Sequence, residues 1–547
     1  MRRLLFVCAL FGCGGGDDDP GPLGDATAQI TKYDYRFDIA TRAAHAKVTA
    51  VLDTPGNCIT LSMRSDTSPT AIVVDGKPGA AGSSPADNQL KACGEKGHDA
   101  GDEMIVEIDV VVPMATLGPS QVGFSSRKDA EGNPFHYLVS WVGGCERFGP
   151  CDARPSLFAK YEFTVAHPAN LDVRCSGTIT EVSETETRCV FEHEGGPTYS
   201  TFGLAAYGAW TPTDKGNWGS AKVTVYDRAQ TTISAAIDPA YHDGFVKFME
   251  STFGPYPFGS ELRVLTAPTY WSGFEHPGNI VLDDLLAAPS SYLHPVAHVL
   301  DHEIAHQWAG DETTIADTYD FVWKEAMAEY LAYVYEDMAD PPAAFATATA
   351  WKGFSNGSKF HPVPMEKPAL FDYYSDVYGP GPMILFRQIE ALSSRAQVID
   401  ALKSVLGTPR ALSVDELLAA LEAKTGLDLD AYAAAWVRGT GAPVWPRATV
   451  TFTAPSTLRV VQTAATTKRC KFSVALRDGG ANSMIVPVDT FRNGIDQTIT
   501  VTPGFTVTAT ELDPLRECIV LPQGFVAEPR THEPWVSPRA WDISPRH

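Results

Sequence analysis

The sequence has no excess of basic residues, no Cys-x-x-Cys pair and no apolar run of transmembrane length. Each absence removes a class of function. Lys and Arg number 43 against 66 Asp and Glu, a formal charge of -23, which argues against nucleic acid as a partner because phosphate binding needs a basic face. The charge excess reads as a well-solvated surface. Without Cys-x-x-Cys spacing the cysteines are no thiolate metal site. Without a stretch of about 20 apolar residues there is no helical membrane span. What remains is a chain of 547 residues with 44% hydrophobic content, enough for two to four folded domains.

The N-terminus carries an export signature. Met1-Arg2-Arg3 is a short basic region and Leu4 to Phe11 a short apolar run. Leu10-Phe11-Gly12-Cys13 resembles a bacterial lipoprotein cleavage box, which would leave a lipid on Cys13 as the membrane attachment of a periplasmic or cell-surface protein. The Gly, Asp and Pro residues from Gly14 to Pro22 can form no core and read as a tether, so 1–29 is signal and tether. An ordinary signal peptide would export the chain equally. Of the 10 cysteines, removing Cys8 and Cys13 leaves eight in local pairs: Cys58 with Cys93, Cys145 with Cys151, Cys175 with Cys189, and Cys470 with Cys518. An oxidising compartment makes these four disulfides.

The chemistry concentrates in His302-Glu303-Ile304-Ala305-His306. Histidines four apart lie one above the other on a helix, so both imidazoles can face one metal ion. Glu303 beside them can take a proton from a water. Eighteen residues after His306 comes Glu325, in a second helical segment. Two imidazoles and a carboxylate with one position left for water is the layout of catalytic zinc, one ion per chain. Pro295 suits the first turn of the histidine helix, and Gly310 is a stop signal. His298 continues the histidine stripe, but eight helical residues span about 12 Å, too far for His298 and His306 to share an ion. Glu329, one turn after Glu325, can accept a hydrogen bond from a ligand histidine.

These motifs resemble the gluzincin aminopeptidases, the family of aminopeptidase N and leukotriene hydrolase. The resemblance implies that His302, His306 and Glu325 are the ligands of a zinc ion. It extends to Phe148-Gly149-Pro150-Cys151-Asp152, which is similar to a segment of the family's N-terminal β domain with Gly149 inserted. Trp271-Ser272-Gly273-Phe274-Glu275-His276 is similar to the family's Gly-Ala-Met-Glu-Asn strand edge. By that resemblance Gly273 and Glu275 bind substrate, Glu275 taking the free α-amine of a peptide. Tyr378, three residues before Gly381, matches the tyrosine that donates to the oxyanion, with Tyr373 and Tyr374 as neighbouring competitors.

Periodicity sets the domains. Alternating segments such as Val106 to Val110, Lys160 to Val165 and Ala221 to Tyr226 make 30–228 all-β. Helices are predicted over Tyr241–Phe253, Gln388–Val405, Val414–Lys424 and Leu429–Trp436, inside a thermolysin-like α/β catalytic domain over 229–446. Short strands over 447–522 predict a β-sandwich, followed by a Pro-rich tail over 523–547. The expected fold is multidomain α+β, without the large C-terminal helical domain of many family members. The expected activity is zinc aminopeptidase action on peptides. The alternatives are an exported endopeptidase or other hydrolase on the same scaffold, and an inactive peptide-binding surface lipoprotein.

Overall fold

Strands that alternate apolar and polar residues bury one face, and the first hundred residues show where that face goes. In the computed structural model, Ala28–Asp38 turns Tyr33, Tyr35 and Phe37 inward, and Ala43–Leu52 turns Ala46, Val48 and Ala50 the same way. Register puts Tyr35 opposite Ala46 and Val48 opposite Val106, so small and large side chains interleave. The structure describes residues 21–525 apart from 66, 83–87, 115–122, 129–131, 148, 193–202, 230, 232, 270 and 287–291. Cys13, Phe148 and most of the Pro-rich tail thus lie outside the described residues.

Ala28–Asp38 pairs parallel with Lys160–Ala166 at the centre of an eight-stranded sheet, where Tyr33 and Tyr161 stack with ring centroids 5.0 Å apart. A four-stranded sheet faces it, built from Asp172–Cys175, Leu204–Tyr207, Pro134–Val139 and Gly123–Lys128. This second sheet is buried on both faces. Leu138, Ala206 and Phe124 join the core of the eight-stranded sheet, while Phe135, Tyr137, Val139 and Tyr207 join the core of the next domain. The strand Pro134–Val139 therefore lies between the two cores, and two residues beyond its end Trp141 packs into the second.

The next domain opens with a five-stranded sheet in the order Thr211–Trp218, Ala221–Asp227, Glu261–Ala267, Asn279–Asp283, Gly273–Phe274. The first two strands fall within 30–228 and share this sheet with strands from 229–446. Alternation identifies a half-buried strand but not its partner, and Ala221–Asp227 pairs parallel with the later strand Glu261–Ala267, Lys222 opposite Glu261. Helix Pro239–Phe253 follows, capped by Asp238. Helix Pro295–His306 starts with proline in its first turn, and Phe321–Ala339 runs through the middle with Phe321 to Val334 buried.

Other elements depart from the sequence reading. Helix Pro341–Ser355, capped by Asp340, is additional. The predicted Gln388–Val405 helix is two, Gln388–Leu392 and Arg395–Lys403, because Ser393 leaves helical dihedrals and Ser394 caps the second. Val414–Thr425 ends at Gly426, whose φ of +67° is the left-handed cap that glycine adopts without a Cβ clash. Leu429–Trp436 becomes a short helix, Asp430–Tyr432, and a wider π turn, Ala433–Val437. The last domain has a four-stranded and a three-stranded sheet, including a strand Ala509–Leu512 that alternation does not reveal. All four expected disulfides are present. No helix among the described residues is long and apolar enough to cross a membrane. The architecture is multidomain α+β with a β-rich N-terminal domain.

Candidate active site

The i, i+4 spacing of His302 and His306 brings their Nε2 atoms within 2.9 Å on the buried side of Pro295–His306. Helix Phe321–Ala339 crosses so that Oε2 of Glu325 lies 3.3 Å from His302 Nε2 and 3.4 Å from His306 Nε2. Ligand bonds of about 2.0–2.1 Å at tetrahedral angles separate donor atoms by about 3.3 Å, so these three atoms fit a single zinc-sized ion. Nothing else among the described residues brings three such donors together.

The outer contacts aim the donors. His306 Nδ1 donates to the carbonyl of Ala309 at 3.0 Å, which leaves Nε2 as the metal-facing nitrogen. His302 Nδ1 lies 3.1 Å from Oε1 of Glu329, so Glu329 stands behind this candidate ligand. Glu329 also accepts from the indole of Trp351 and lies 3.2 Å from His298 Nε2. His298 in turn sits 2.8 Å from Glu336, which accepts from Thr347 at 2.9 Å. His298 is buried in this network, one turn away from the donor cluster. Burial pushes Glu329 upward, but the two histidines overcome it and hold the carboxyl down at about 2.

Glu303, Glu275, His306, Glu325, Tyr374 and Tyr378 face one cavity, walled by Trp141, Trp271, Gly273 and Phe274. Its volume is about 20 Å³, room for roughly one water molecule. Burial pushes the Glu303 carboxyl up to about 8; His302 works against this, and the charges of Glu275 and Glu325 reinforce it. A buried carboxyl poised near neutrality suits proton transfer. Gly273 is where the strand edge meets this residue: a Cβ added to it would overlap the Glu303 carboxylate. The Glu275 carbonyl accepts from Gln307 Nε2 at 2.8 Å, which ties the strand edge to the histidine helix.

Tyr378 donates to Oε2 of Glu325 at 2.8 Å and lies 2.9 Å from the hydroxyl of Tyr374. Burial drives its pKa well above the ordinary tyrosine value, and the charge of Glu325 adds to this, so it stays a donor. Tyr373 points elsewhere and donates to the carbonyl of Pro362. Tyr374 reaches the cavity as well, with its ring against Trp271 at 4.4 Å between centroids.

Three participants have no sequence signal of their own. Trp141 and Trp271 wall the site through tertiary packing, their rings 5.8 Å apart. Lys324 is fully buried, with its ammonium 2.7 Å from Glu325 Oε1, 3.0 Å from Glu275 Oε1 and 3.4 Å from His306 Nε2. Burial opposes ionisation of Glu275 and Glu325, yet the Lys324 ammonium holds Glu275 below its ordinary value and Glu325 well below.

Residues 242–436 match the model of the peptidase family M1 domain. Leukotriene A-4 hydrolase of Xenopus laevis is 25% identical over 239 residues, 42% of this chain and 37% of that protein. Aminopeptidase N of Homo sapiens is 26% identical over 242 residues, 41% of this chain and 25% of that protein. The matches therefore span well under half the length of these relatives. An M1 zinc metallopeptidase from Deinococcus radiodurans superposes with a TM-score of 0.61 at 20% identity, covering 77% of this chain and 95% of that one. At that identity the likeness is one of fold.

Proposed function

We propose that this chain, which carries a peptidase family M1 domain at residues 242–436, is a zinc aminopeptidase. The observation that carries the reading is one cavity shared by His306, Glu325, Glu303 and Tyr378, with His302 Nε2 2.9 Å from His306 Nε2. His302, His306 and Glu325 would hold the ion. Bound there, zinc would supply Lewis acidity, polarising the scissile carbonyl and lowering the pKa of a water. Glu303 takes the proton of the attacking water and delivers it to the leaving amine. Tyr378 turns its hydroxyl from Glu325 to the oxygen that becomes negative as the tetrahedral centre forms. Glu275 offers its carboxylate to the α-ammonium that marks the chain end, beside the resident Lys324 ammonium. Trp141 and Trp271 exclude bulk water, which strengthens each of these contacts.

The purified protein is expected to carry about one zinc per chain and to release single residues from the N-terminus of a peptide, read by mass spectrometry of the products. A zinc-free but active enzyme, or products cut only at internal bonds, overturns the reading. Internal cleavage would point to an endopeptidase, a reading favoured by the Lys324 ammonium 3.0 Å from Glu275. The N-terminal box adds a second proposal: export with a lipid on Cys13. Labelled fatty acid is expected to enter the wild type and not Cys13→Ser, and its absence from the wild type refutes the anchor.

A further inference from the structure

The site already contains an ammonium. Lys324 precedes the candidate ligand Glu325, and its side chain is fully buried. Its stem runs past Gly310, where an added Cβ would stand 3.0 Å from Cε and 3.1 Å from Cγ, so the stem packs closely on a residue without a side chain. At its end the cation meets Glu275 Oε1 at 3.0 Å and Glu325 Oε1 at 2.7 Å, with the ring of Phe321 centred 5.6 Å away. This is a built cation place, filled by the chain itself.

Glu275 is the carboxylate that the proposed function assigns to a substrate's α-ammonium. An arriving ammonium must share it with Lys324, and two like charges on one carboxylate repel. No substitute is at hand: the other carboxylates lining the cavity are Glu303, the base, and Glu325, the ligand, and the walls are aromatic. A charge-assisted contact to an unshared Glu275 would favour a free amine about ten- to a hundred-fold; a contact shared with a resident cation is worth less.

We propose that Lys324 is a specificity-determining residue: its ammonium fills the place beside Glu275, so hydrolysis of the first peptide bond depends little on a free N-terminus, and peptides with an acylated first nitrogen are substrates too. The inference rests on the peptidase reading above. It is tested with leucyl p-nitroanilide and N-acetyl-leucyl p-nitroanilide on the zinc-loaded full-length protein. The wild type is expected to prefer the free amine by less than about ten-fold in kcat/KM. Lys324→Met and Lys324→Gln, which remove the charge, raise that preference at least about ten-fold, and Lys324→Arg, which keeps it, does not. A preference that stays the same or falls in both uncharged variants overturns the proposal, as does a wild-type preference above about a hundred-fold.

Binding gives a readout that does not need turnover. In Glu303→Gln, calorimetry with leucine amide and N-acetyl-leucine amide is expected to show discrimination that grows at least about ten-fold when Lys324→Met is added. Equal discrimination with and without Lys324 overturns the proposal. If the lysine variants do not fold, Glu275→Gln in the wild-type background decides: a change in preference below about three-fold supports the sharing, and a loss of about ten-fold refutes it. A zinc-loaded wild type that cleaves neither anilide counts against the peptidase reading alone, because the binding comparison still tests Lys324.

Discussion

The two domains that meet at the four-stranded sheet differ in where a charge can lose its partner: an exposed pair of the first contrasts with a buried cluster of the second. The N-terminal sandwich has ion pairs with a strongly exposed member, as with Arg36 and Glu186, 2.6 Å apart, where Arg36 is 61% exposed. In the helical domain Glu303, Lys324, Glu325, Glu329 and His298 are each at most 3% exposed. Water can replace a lost partner in the first case and cannot in the second. An exposed pair such as Arg36–Glu186 is thus nearly neutral for stability, and in the buried cluster of the helical domain each group depends on its neighbours.

The comparison can be broken at four places, in order of expected effect. Glu303→Gln is isosteric and removes the proposed proton acceptor without touching the three candidate metal donors. Turnover is expected to fall about a hundred- to ten-thousand-fold while zinc content, read by atomic absorption, is unchanged. Loss of zinc together with activity would instead make Glu303 a structural support. Glu329→Ala strips His298, His302 and Trp351 of a shared carboxylate. Denaturant titration should show a loss of about 3–5 kcal/mol, and competition with a chelator a zinc affinity about 10–100-fold weaker.

The sandwich supplies the two milder tests. Replacing Cys58 and Cys93 with serine opens a bridge between residues 35 apart in sequence, at an expected cost of about 2–4 kcal/mol. Turnover per folded molecule should not change, and a change would mean that the sandwich shapes the cavity more than its position implies. Arg36→Ala should cost less than about 1 kcal/mol by the same titration. If it costs as much as Glu329→Ala, the contrast between the domains is wrong.

The donor set was legible because i, i+4 spacing on a helix is a geometric statement in one dimension, and Glu325 follows on a helix that also has its own pattern. Glu329 was legible as a face-mate of Glu325. Lys324 was not: a lysine beside a glutamate on a helix reads as a solvated pair, and only the approach of Gly310 and the strand edge buries it. Trp141 belongs to no motif, and only the strand before it carries it to the cavity wall. The strands over Thr211–Asp227 show the same limit, since their alternation reports a buried face and their sheet is chosen by a later partner. The break at Ser393-Ser394 and the Asp340-Pro341 start are written in local capping chemistry, which apolar periodicity does not report.

The contact between Gly273 and Glu303 also constrains how this site can change over generations. A side chain at 273 and a full-length glutamate at 303 exclude each other. A lineage that gains a methyl group at 273 must first shorten or rotate residue 303, and every such intermediate has a displaced base. The two positions therefore behave as one heritable unit. A saturation library at 273 in the wild-type background should return only glycine among active clones, and a second solution requires both codons to change together.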